Sequence, residues 1–569
     1  MRRARSRHRP SQWRVSTLLG LGLLLAACQA TPSPSSSAGA SSASFVSTSY
    51  PVGAPADCSY GGELAQIKAV DQLTVEFSLC YADPAFLSKI AMANNAIQDS
   101  DWLTKYGPTA ELATRANGTG PYRTEQGNLS SPGLVSLARF DSYWGEKAKA
   151  AVVTIAGEAD AEARLQALHL GSIDGIDDPS PADLGTIAAD STLQLLPREL
   201  LNTTYIGMNS DFAPFDNVKI RRALAMGIDR QRIILNALPP GSSLARFFTP
   251  CSIEFGCDGD PWYELDLAGA TALLADGAFP GPLTTHIYYG EGVGCTGADP
   301  SLVAKELQTE LQGDLGITAD LRPLDPLTFA DKLSAGLFDG LYIADWCADY
   351  PDVTDFLGRA FNDPGNPQFG AIDRSIRDPL TTGARTADAA ARKAAYAAAD
   401  SAIRATVPMI PIAHGGSATA WKADVTGGVA SPLDAESFAT IDPGGRGTLA
   451  WLQNGSPASF YCADAPDGDS VRLCANVFEQ LYAFKPGTAM VTPGLATSCD
   501  PNAELTVWTC HLRTGVTFHD GASLDANDVL QSFAAQWDYT HPVHRGGLAQ
   551  FVGWTREFGP FLNAPPPAS

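Results

Sequence analysis

The sequence has little of what enzyme sites and nucleic-acid-binding surfaces are built from. Its eight histidines form no cluster and no C-x-x-C occurs, so the usual zinc ligand sets are missing; His541 and His544 lack a second pair of ligands. No G-x-S-x-G is present, and His414-Gly415-Gly416-Ser417, which could pass for an oxyanion loop, has no nucleophile elbow to serve. Gly118 and Gly120 miss the G-x-G-x-x-G spacing, and no helix follows them to receive a phosphate. No metal and no cofactor are therefore expected. Basic side chains are scarce, 39 Lys and Arg against 62 Asp and Glu, and the net charge of −23 argues against nucleic acid as a partner. The leading apolar run, residues 18–27, is about half of the ~20 residues that a membrane-spanning helix needs.

What is present points to an exported globular protein. The 569 residues can hold several domains with ample cores, and 18% charged with 9% aromatic residues is the balance of a folded chain. Eleven cysteines indicate an oxidising compartment. Residues 1–28 read as a targeting segment: six arginines between Arg2 and Arg14, the short apolar run, then Leu25-Ala26-Ala27-Cys28. Those last four residues resemble the lipobox of bacterial lipoproteins, which implies cleavage before Cys28 and acylation of its sulfur. An ordinary signal peptide with an incidental Cys is the alternative. Residues 29–44 are uncharged and rich in Ser, Ala and Pro, as in a flexible tether. Ten cysteines remain, an even number as a disulfide set requires. Cys251–Cys257, Cys462–Cys474 and Cys499–Cys510 are local pairs, Cys58–Cys80 spans a hairpin, and Cys295–Cys347 joins two strand-end loops.

Periodicity gives alternating strands and helices, and so an α/β fold. Residues 63–80 alternate as two strands around a turn near Asp71. Residues 218–236 read as one amphipathic helix with Ile220, Leu224, Ile228 and Ile233 toward the core. Strands are predicted at 204–209, 285–289, 319–321, 341–346 and 408–414, with helices at 265–278, 301–312, 328–335 and 388–404. Residues 508–533 read as strand, turn, strand and a helix capped by Asp525. In that turn, His519-Asp520 offers either a catalytic pair or an Asp that bonds its own backbone; turn chemistry favours the second.

The text WTCHLRTGVTFHDGASLDANDVLQSF at 508–533 closely resembles the hallmark of the peptide- and nickel-type (family 5) solute-binding proteins of ABC importers. Asn117-Gly118-Thr119-Gly120-Pro121-Tyr122, Tyr143-Trp144-Gly145, VKIRRALAMGIDRQR from Val218, PMIPIAH from Pro408 and FEQLYAF from Phe478 are similar to further segments of that family. The resemblance implies a two-lobed periplasmic-binding-protein type II fold with an extra subdomain on the first lobe. Trp346-Cys347-Ala348-Asp349-Tyr350 resembles the WCADY loop of oligopeptide-binding proteins, at the C-terminal end of a strand where ligands collect. There the Asp pairs with the peptide's α-ammonium, which implies that role for Asp349, since an ammonium in a dry cleft needs a carboxylate. The alternative is that Asp349 caps a helix starting near Thr354. Ile343 stands where some oligopeptide binders carry an Arg for the peptide carboxylate, and Asp345 replaces a usual Gly. The ligand set so implied is Asp349, Trp346 and Tyr350 from the second lobe, Asn209 and His414 near the hinge, and Gln453, Asn454 and Tyr461 from the first lobe. A packing role is the alternative for His414.

In that family the FHDG run lies in the first quarter of the chain; here it lies in the last tenth. Residues 447–451 resemble the family's mature start, and 408–446 resemble its end. The order middle, end, beginning is that of a circular permutation, with Gly444-Gly445 as the joint and new ends near Ser49 and Asn563. A truncated tandem duplication is the rival, but no motif appears twice. The implied domains are the signal peptide 1–28, the tether 29–50, a small subdomain of lobe 1 from 51–116 and 486–563, lobe 1 from 117–262 and 411–485, lobe 2 from 263–410, and a tail at 564–569.

The expected protein is not an enzyme. It is a monomeric receptor, lipid-anchored at the outer face of the bacterial cytoplasmic membrane or in the periplasm. It binds a small solute, a peptide first, and presents it to ABC permease subunits. A secreted hydrolase on the same fold would need a nucleophile or metal set; a ligand-sensing receptor would feed a membrane signalling protein instead. Two acyl chains on Cys28 suffice for stable anchoring, at about 0.8 kcal/mol per buried methylene. Cys28→Ser is thus expected to release the protein to the medium, read by fractionation and immunoblot; a variant that stays with the membrane would sink the anchor.

Overall fold

The computed structural model describes residues 45–124, 133–276, 283–292, 294–363, 365–465, 468–545 and 551–565; Cys28, the targeting segment, residues 29–44 of the tether and 566–569 of the tail lie outside the described residues. Among the described residues, strands gather into three large sheets and one two-stranded ribbon, all within the compact unit Val46–Ser569. The fold is α/β.

The seven-stranded sheet runs, edge to edge, Tyr122–Thr124, Leu134–Arg139, Val152–Gly157, Thr448–Gln453, Gly175–Asp177, Gly416–Lys422 and Leu193–Glu199. Thr448–Gln453, late in the chain, lies parallel between two early strands. The six-stranded sheet runs Ser243–Leu244, Met409–His414, Asn202–Gly207, Leu341–Cys347, Thr284–Gly290 and Thr318–Leu324. Its two strands Asn202–Gly207 and Met409–His414 are buried along their whole length, because helices cover both faces. The five-stranded sheet is antiparallel and joins Thr48–Tyr50, Leu64–Asp71 and Thr74–Leu79 to Val507–Leu512 and Ala496–Pro501. Thr74–Leu79 alternates buried and half-buried positions, the period-2 signature of a sheet with one packed face. The ten described cysteines form five disulfides: Cys58–Cys80, Cys251–Cys257, Cys295–Cys347, Cys462–Cys474 and Cys499–Cys510.

Two boundaries differ from the sequence reading. The chain passes from the seven-stranded to the six-stranded sheet at residues 199–202, not near Trp262, and returns at 414–416. Asn202–Gly207 pairs antiparallel with both Leu341–Cys347 and Met409–His414, so its burial belongs to the second lobe. The single helix over 218–236 is two, Val218–Gly227 and Arg230–Ala237. Ile228 is extended between them, and Asp229 caps the second helix by accepting from the Arg232 N–H at 3.1 Å. Ile220, Leu224, Ile228 and Ile233 are all buried, so the apolar pattern carries through the break.

The segment around Phe518 is a clasp. Gly521 takes a φ of +96° and its N–H donates to the Phe518 carbonyl, while the Asp520 carboxylate accepts from the Ala522 N–H at 2.9 Å. His519 faces Asn117–Tyr122: its Nδ1 accepts from the Gly118 N–H at 3.3 Å and its Nε2 donates to the Gly120 carbonyl at 3.0 Å. Burial pushes the imidazole down to about 4, which keeps it neutral, as this pairing needs. Thr119, Tyr143 and Trp144 donate to the half-buried Glu479 carboxylate at 2.7 to 2.9 Å. The helix Ala526–Trp537 that follows opens with a capping box of Asp525 and Asp528. These segments hold the first lobe together, and the His-Asp pair is spent on a turn.

A Cβ on Gly118 would collide with the Val477 carbonyl oxygen, which is backbone and cannot turn aside. Gly118→Ala should therefore cost roughly 1–3 kcal/mol, the usual range for overpacking. Gly185, inside the helix Leu184–Ala189 with open space around it, is the control. Gly185→Ala should be neutral or stabilise by about 0.5–1 kcal/mol. Denaturant titration of both variants checks the pair; equal midpoints would overturn the close-approach account.

Candidate functional site

The strand Leu341–Cys347 lies inside the six-stranded sheet, carries Trp346 and Cys347 at its end, and delivers the loop that begins at Ala348. That loop is pinned on every side. Cys347 is bonded to Cys295, and the Ala348 N–H donates to the Leu201 carbonyl at 2.9 Å. The Asp349 N–H donates to Asp355 Oδ2 at 2.9 Å. Asp352 accepts from the Thr354 N–H at 2.9 Å and from Arg392 Nη2 at 2.7 and 2.8 Å. The turn into the next helix is thus capped by Asp352, and Asp349 is left for other work.

Asp349 faces two guanidiniums. Oδ2 accepts from Arg359 Nη1 at 2.8 Å, and Oδ1 lies 3.3 Å from Arg556 Nη1, which comes from the helix Val552–Phe558 in another part of the chain. Its side chain is 11% exposed. Burial raises the Asp349 carboxyl above its ordinary range, and the two guanidiniums oppose that rise. Next to it, Tyr350 is buried, with Lys89 Nζ 5.0 Å from its ring centroid. Lys89 is held by Glu63 at 2.5 Å and Asp83 at 2.8 Å. Tyr350, Lys89, Arg359 and Arg556 line a cavity of about 650 Å³ with Tyr81, Asp83, Thr354 and Glu557. That is within the ~300–1,000 Å³ range of small-molecule sites. Trp346 is half-buried against the core of the second lobe.

The first-lobe residues form a separate cluster. Gln453 Oε1 accepts from Arg472 Nη1 at 3.0 Å, and Asn454 Nδ2 donates to Asp178 at 3.1 Å. Arg472 also reaches Asp177 and Glu436 at 2.6 Å, and Arg198 reaches the same two at 2.8 and 2.5 Å. Asp177, Asp434 and Glu436 bring carboxylate oxygens within 4.8 Å of one another, the kind of grouping that can hold a cation. Here the two buried guanidiniums supply that counter-charge, and against the cost of burial they hold the Asp177 carboxyl below its usual range. Tyr461 is buried edge-on to Phe551.

Two further residues are tied into backbone. Asn209 Nδ2 donates to the Gly336 carbonyl at 2.8 Å, inside the second lobe. His414 is buried at the crossing between the lobes, where its Nδ1 donates to the Asn202 carbonyl at 2.8 Å; burial pushes it down to about 4. The structure therefore brings Tyr350 to a cavity and sets Asp349 against two of its lining arginines, places Gln453 in a buried charge network with Asn454 exposed beside Asp178, and seats Asn209 and His414 in packing positions. Sequence reasoning missed Lys89, Arg359 and Arg556. Arg359 carries a signal, since it follows Asp355 at i,i+4 on one helical face. Arg556 carries none, being far away in the chain.

The family described as "Bacterial extracellular solute-binding proteins, family 5 Middle" matches residues 30–368 and 490–553. Among curated proteins, heme-binding protein A of Haemophilus influenzae is 26% identical over 404 residues, 67% of this chain and 70% of that protein. Di/tripeptide-binding protein 2 of Pseudomonas aeruginosa is 24% identical over 385 residues, 66% of this chain and 71% of that one. Among solved structures, HbpA2 from Haemophilus parasuis superposes with a TM-score of 0.63 at 26% identity, covering 67% of this chain and 75% of that one.

Glu557, on the cavity wall, accepts from Asn94 and Asn95, and burial pushes its carboxyl up to about 8 from an ordinary 4.5. The folded protein keeps this proton until about pH 8, whereas the unfolded chain releases it near 4.5. The unfolded state binds fewer protons between those values, so stability falls as pH rises through that window. Glu557→Gln cannot release a proton and keeps an oxygen for both asparagines. Its melting temperature relative to wild type should climb between pH 5 and pH 8.5, read by differential scanning fluorimetry. A constant difference would remove the buried-acid account.

Proposed function

Because the chain belongs to the bacterial extracellular solute-binding proteins of family 5, and is by that membership a binding protein and not an enzyme, we propose that it is the receptor of an ABC importer for peptides. It captures a small peptide between its two lobes and hands it to the permease. It works as a monomer held by lipid on Cys28 at the outer face of the cytoplasmic membrane. No described helix is long and apolar enough to cross a membrane. The carrying observation is Asp349: a poorly solvated carboxylate beside a charged cavity, on a loop fixed by a disulfide and by Arg392. A cavity lined by Lys89, Arg359, Arg556 and Asp83 suits a ligand with charged ends, as a peptide has, better than an extended apolar ring system.

The permuted order is part of the same reading. Thr448–Gln453 enters the middle of the seven-stranded sheet directly after the Gly444-Gly445 turn, where both glycines have positive φ. The two ends of the folded body converge on one carboxylate: the Tyr50 hydroxyl donates to Asp538 Oδ2, and Asn563 Nδ2 donates to its Oδ1 at 3.1 Å. Adjacent ends are what opening a loop produces, and they support a family order rearranged without loss of the fold.

Asp349→Asn keeps the shape and deletes the charge. Removing one partner of a buried pair costs about 2–5 kcal/mol, so affinity for a free-amine peptide should fall roughly 30- to 5000-fold. An N-acetylated peptide should bind wild type weakly and lose little more on the variant. Calorimetry of both peptides on both proteins closes the cycle; equal affinity of the two proteins for the free-amine peptide would take Asp349 out of the site.

A further inference from the structure

A second cavity, of about 310 Å³, lies within the first lobe and shares no residue with the one beside Tyr350. Met92, Leu433, Val471, Phe478 and Phe484 give it apolar walls. Only two charged residues line it, Glu479 and Lys485. Both Glu479 oxygens already accept hydrogen bonds, from Tyr143 on one side and from Thr119 and Trp144 on the other. Lys485 is exposed, so its ammonium stays in water. The interior therefore offers no charge to a guest. It does offer one polar group: Gln480, on the same wall, is 8% exposed, and its Nε2 has no hydrogen-bond partner among the described residues. A buried donor left unpaired is costly, and an oxygen brought by a ligand relieves it.

The walls are held from behind. Residues 431–439 alternate: Leu433, Ala435, Ser437 and Ala439 line the cavity, while Asp434 and Glu436 reach Arg472 at 2.9 and 2.6 Å. Arg472 belongs to the helix Gly468–Val477, which sets Val471 and Ala475, at i and i+4, on the cavity. The same ion pairs thus tie two walls to each other. Tyr143 and Trp144, also on the wall, are fixed through Glu479. Voids are normally removed by collapse of their surroundings, and walls clamped in this way resist it. We propose that this cavity is a binding site for a small uncharged molecule, an aromatic or branched aliphatic group carrying one hydroxyl or carbonyl oxygen that accepts from Gln480. Its volume is at the lower end of the ~300–1,000 Å³ range of small-molecule sites, which suits roughly one ring with a short side chain. The site is independent of the peptide-receptor reading, since every residue that lines it belongs to the first lobe.

Three probes of similar size test it: ethylbenzene, benzyl alcohol and benzoate, titrated on the full chain by ligand-observed NMR. Wild type should bind the first two and should bind benzoate more weakly than benzyl alcohol. Ala475→Phe fills the cavity from the helix and Ala435→Phe from residues 431–439, and each should abolish binding of all three. Two separate fillers guard against a single misfolded variant, and melting temperatures identify any that fails to fold. Gln480→Met keeps the length of the side chain and removes the donor. On it the affinity of benzyl alcohol relative to ethylbenzene should fall roughly two- to tenfold, the worth of one neutral hydrogen bond. No binding by wild type, or binding that survives both folded fillers, would overturn the site. An unchanged ratio on Gln480→Met would overturn the role of Gln480, and tighter binding of benzoate than of benzyl alcohol would overturn the uncharged class. None of these outcomes touches the peptide-receptor reading, which the Asp349→Asn calorimetry decides separately.

Discussion

The two lobes depend on a crossing two strands wide. Among the described residues, the chain passes between the seven-stranded and six-stranded sheets only at 199–202 and 414–416, and these segments are stitched to each other. The Leu200 N–H donates to the Gly415 carbonyl, the Gly415 N–H to Asn202 Oδ1 at 2.6 Å, and His414 to the Asn202 carbonyl. Gly416 pairs with Glu199, and a Cβ on it would strike the Gly241 carbonyl. Any movement of one sheet against the other has to be absorbed by these few residues, as in a hinge. Asn202 and His414 are both buried polar groups, so each bond there sets the geometry of the pair of lobes.

Elsewhere the protein buries two balanced groups of charge. Arg198 and Arg472 face Asp177 and Glu436 in the first lobe, and Lys89 faces Glu63 and Asp83 beside the cavity. Removing one member of such a group leaves a charge without a partner, which typically costs 3–5 kcal/mol. The first group orders Gln453; the second fixes the wall opposite Tyr350. Asp349 differs from both, because one of its two cations is mostly exposed and held at 3.3 Å.

Much of this was legible in the sequence, and the rest was hidden for physical reasons. The segments at 117–122, 143–145, 478–484 and 508–533 stood out as separate texts, and the structure joins them through His519 and Glu479. Period-2 alternation located the hairpin of Leu64–Asp71 and Thr74–Leu79. Periodicity could not show to which lobe the strand Asn202–Gly207 belongs, since burial on both faces erases alternation. It ran through the break at Ile228, because that residue stays apolar and buried in extended backbone. The Asp349–Arg556 pair joins distant parts of the chain, and nothing local announces such a contact.

The bond between Cys295 and Cys347 anchors the base of the loop that carries Asp349, and Arg392 clamps Asp352 at its far end. A recognition loop fixed at both ends has little conformational freedom left to surrender. Ordering flexible groups on binding usually costs about 0.5–1.5 kcal/mol per immobilised side chain. Here most of that cost falls at folding, when the disulfide forms, and not at capture. On the proposed role of Asp349, discrimination among solutes there is decided by charge and desolvation.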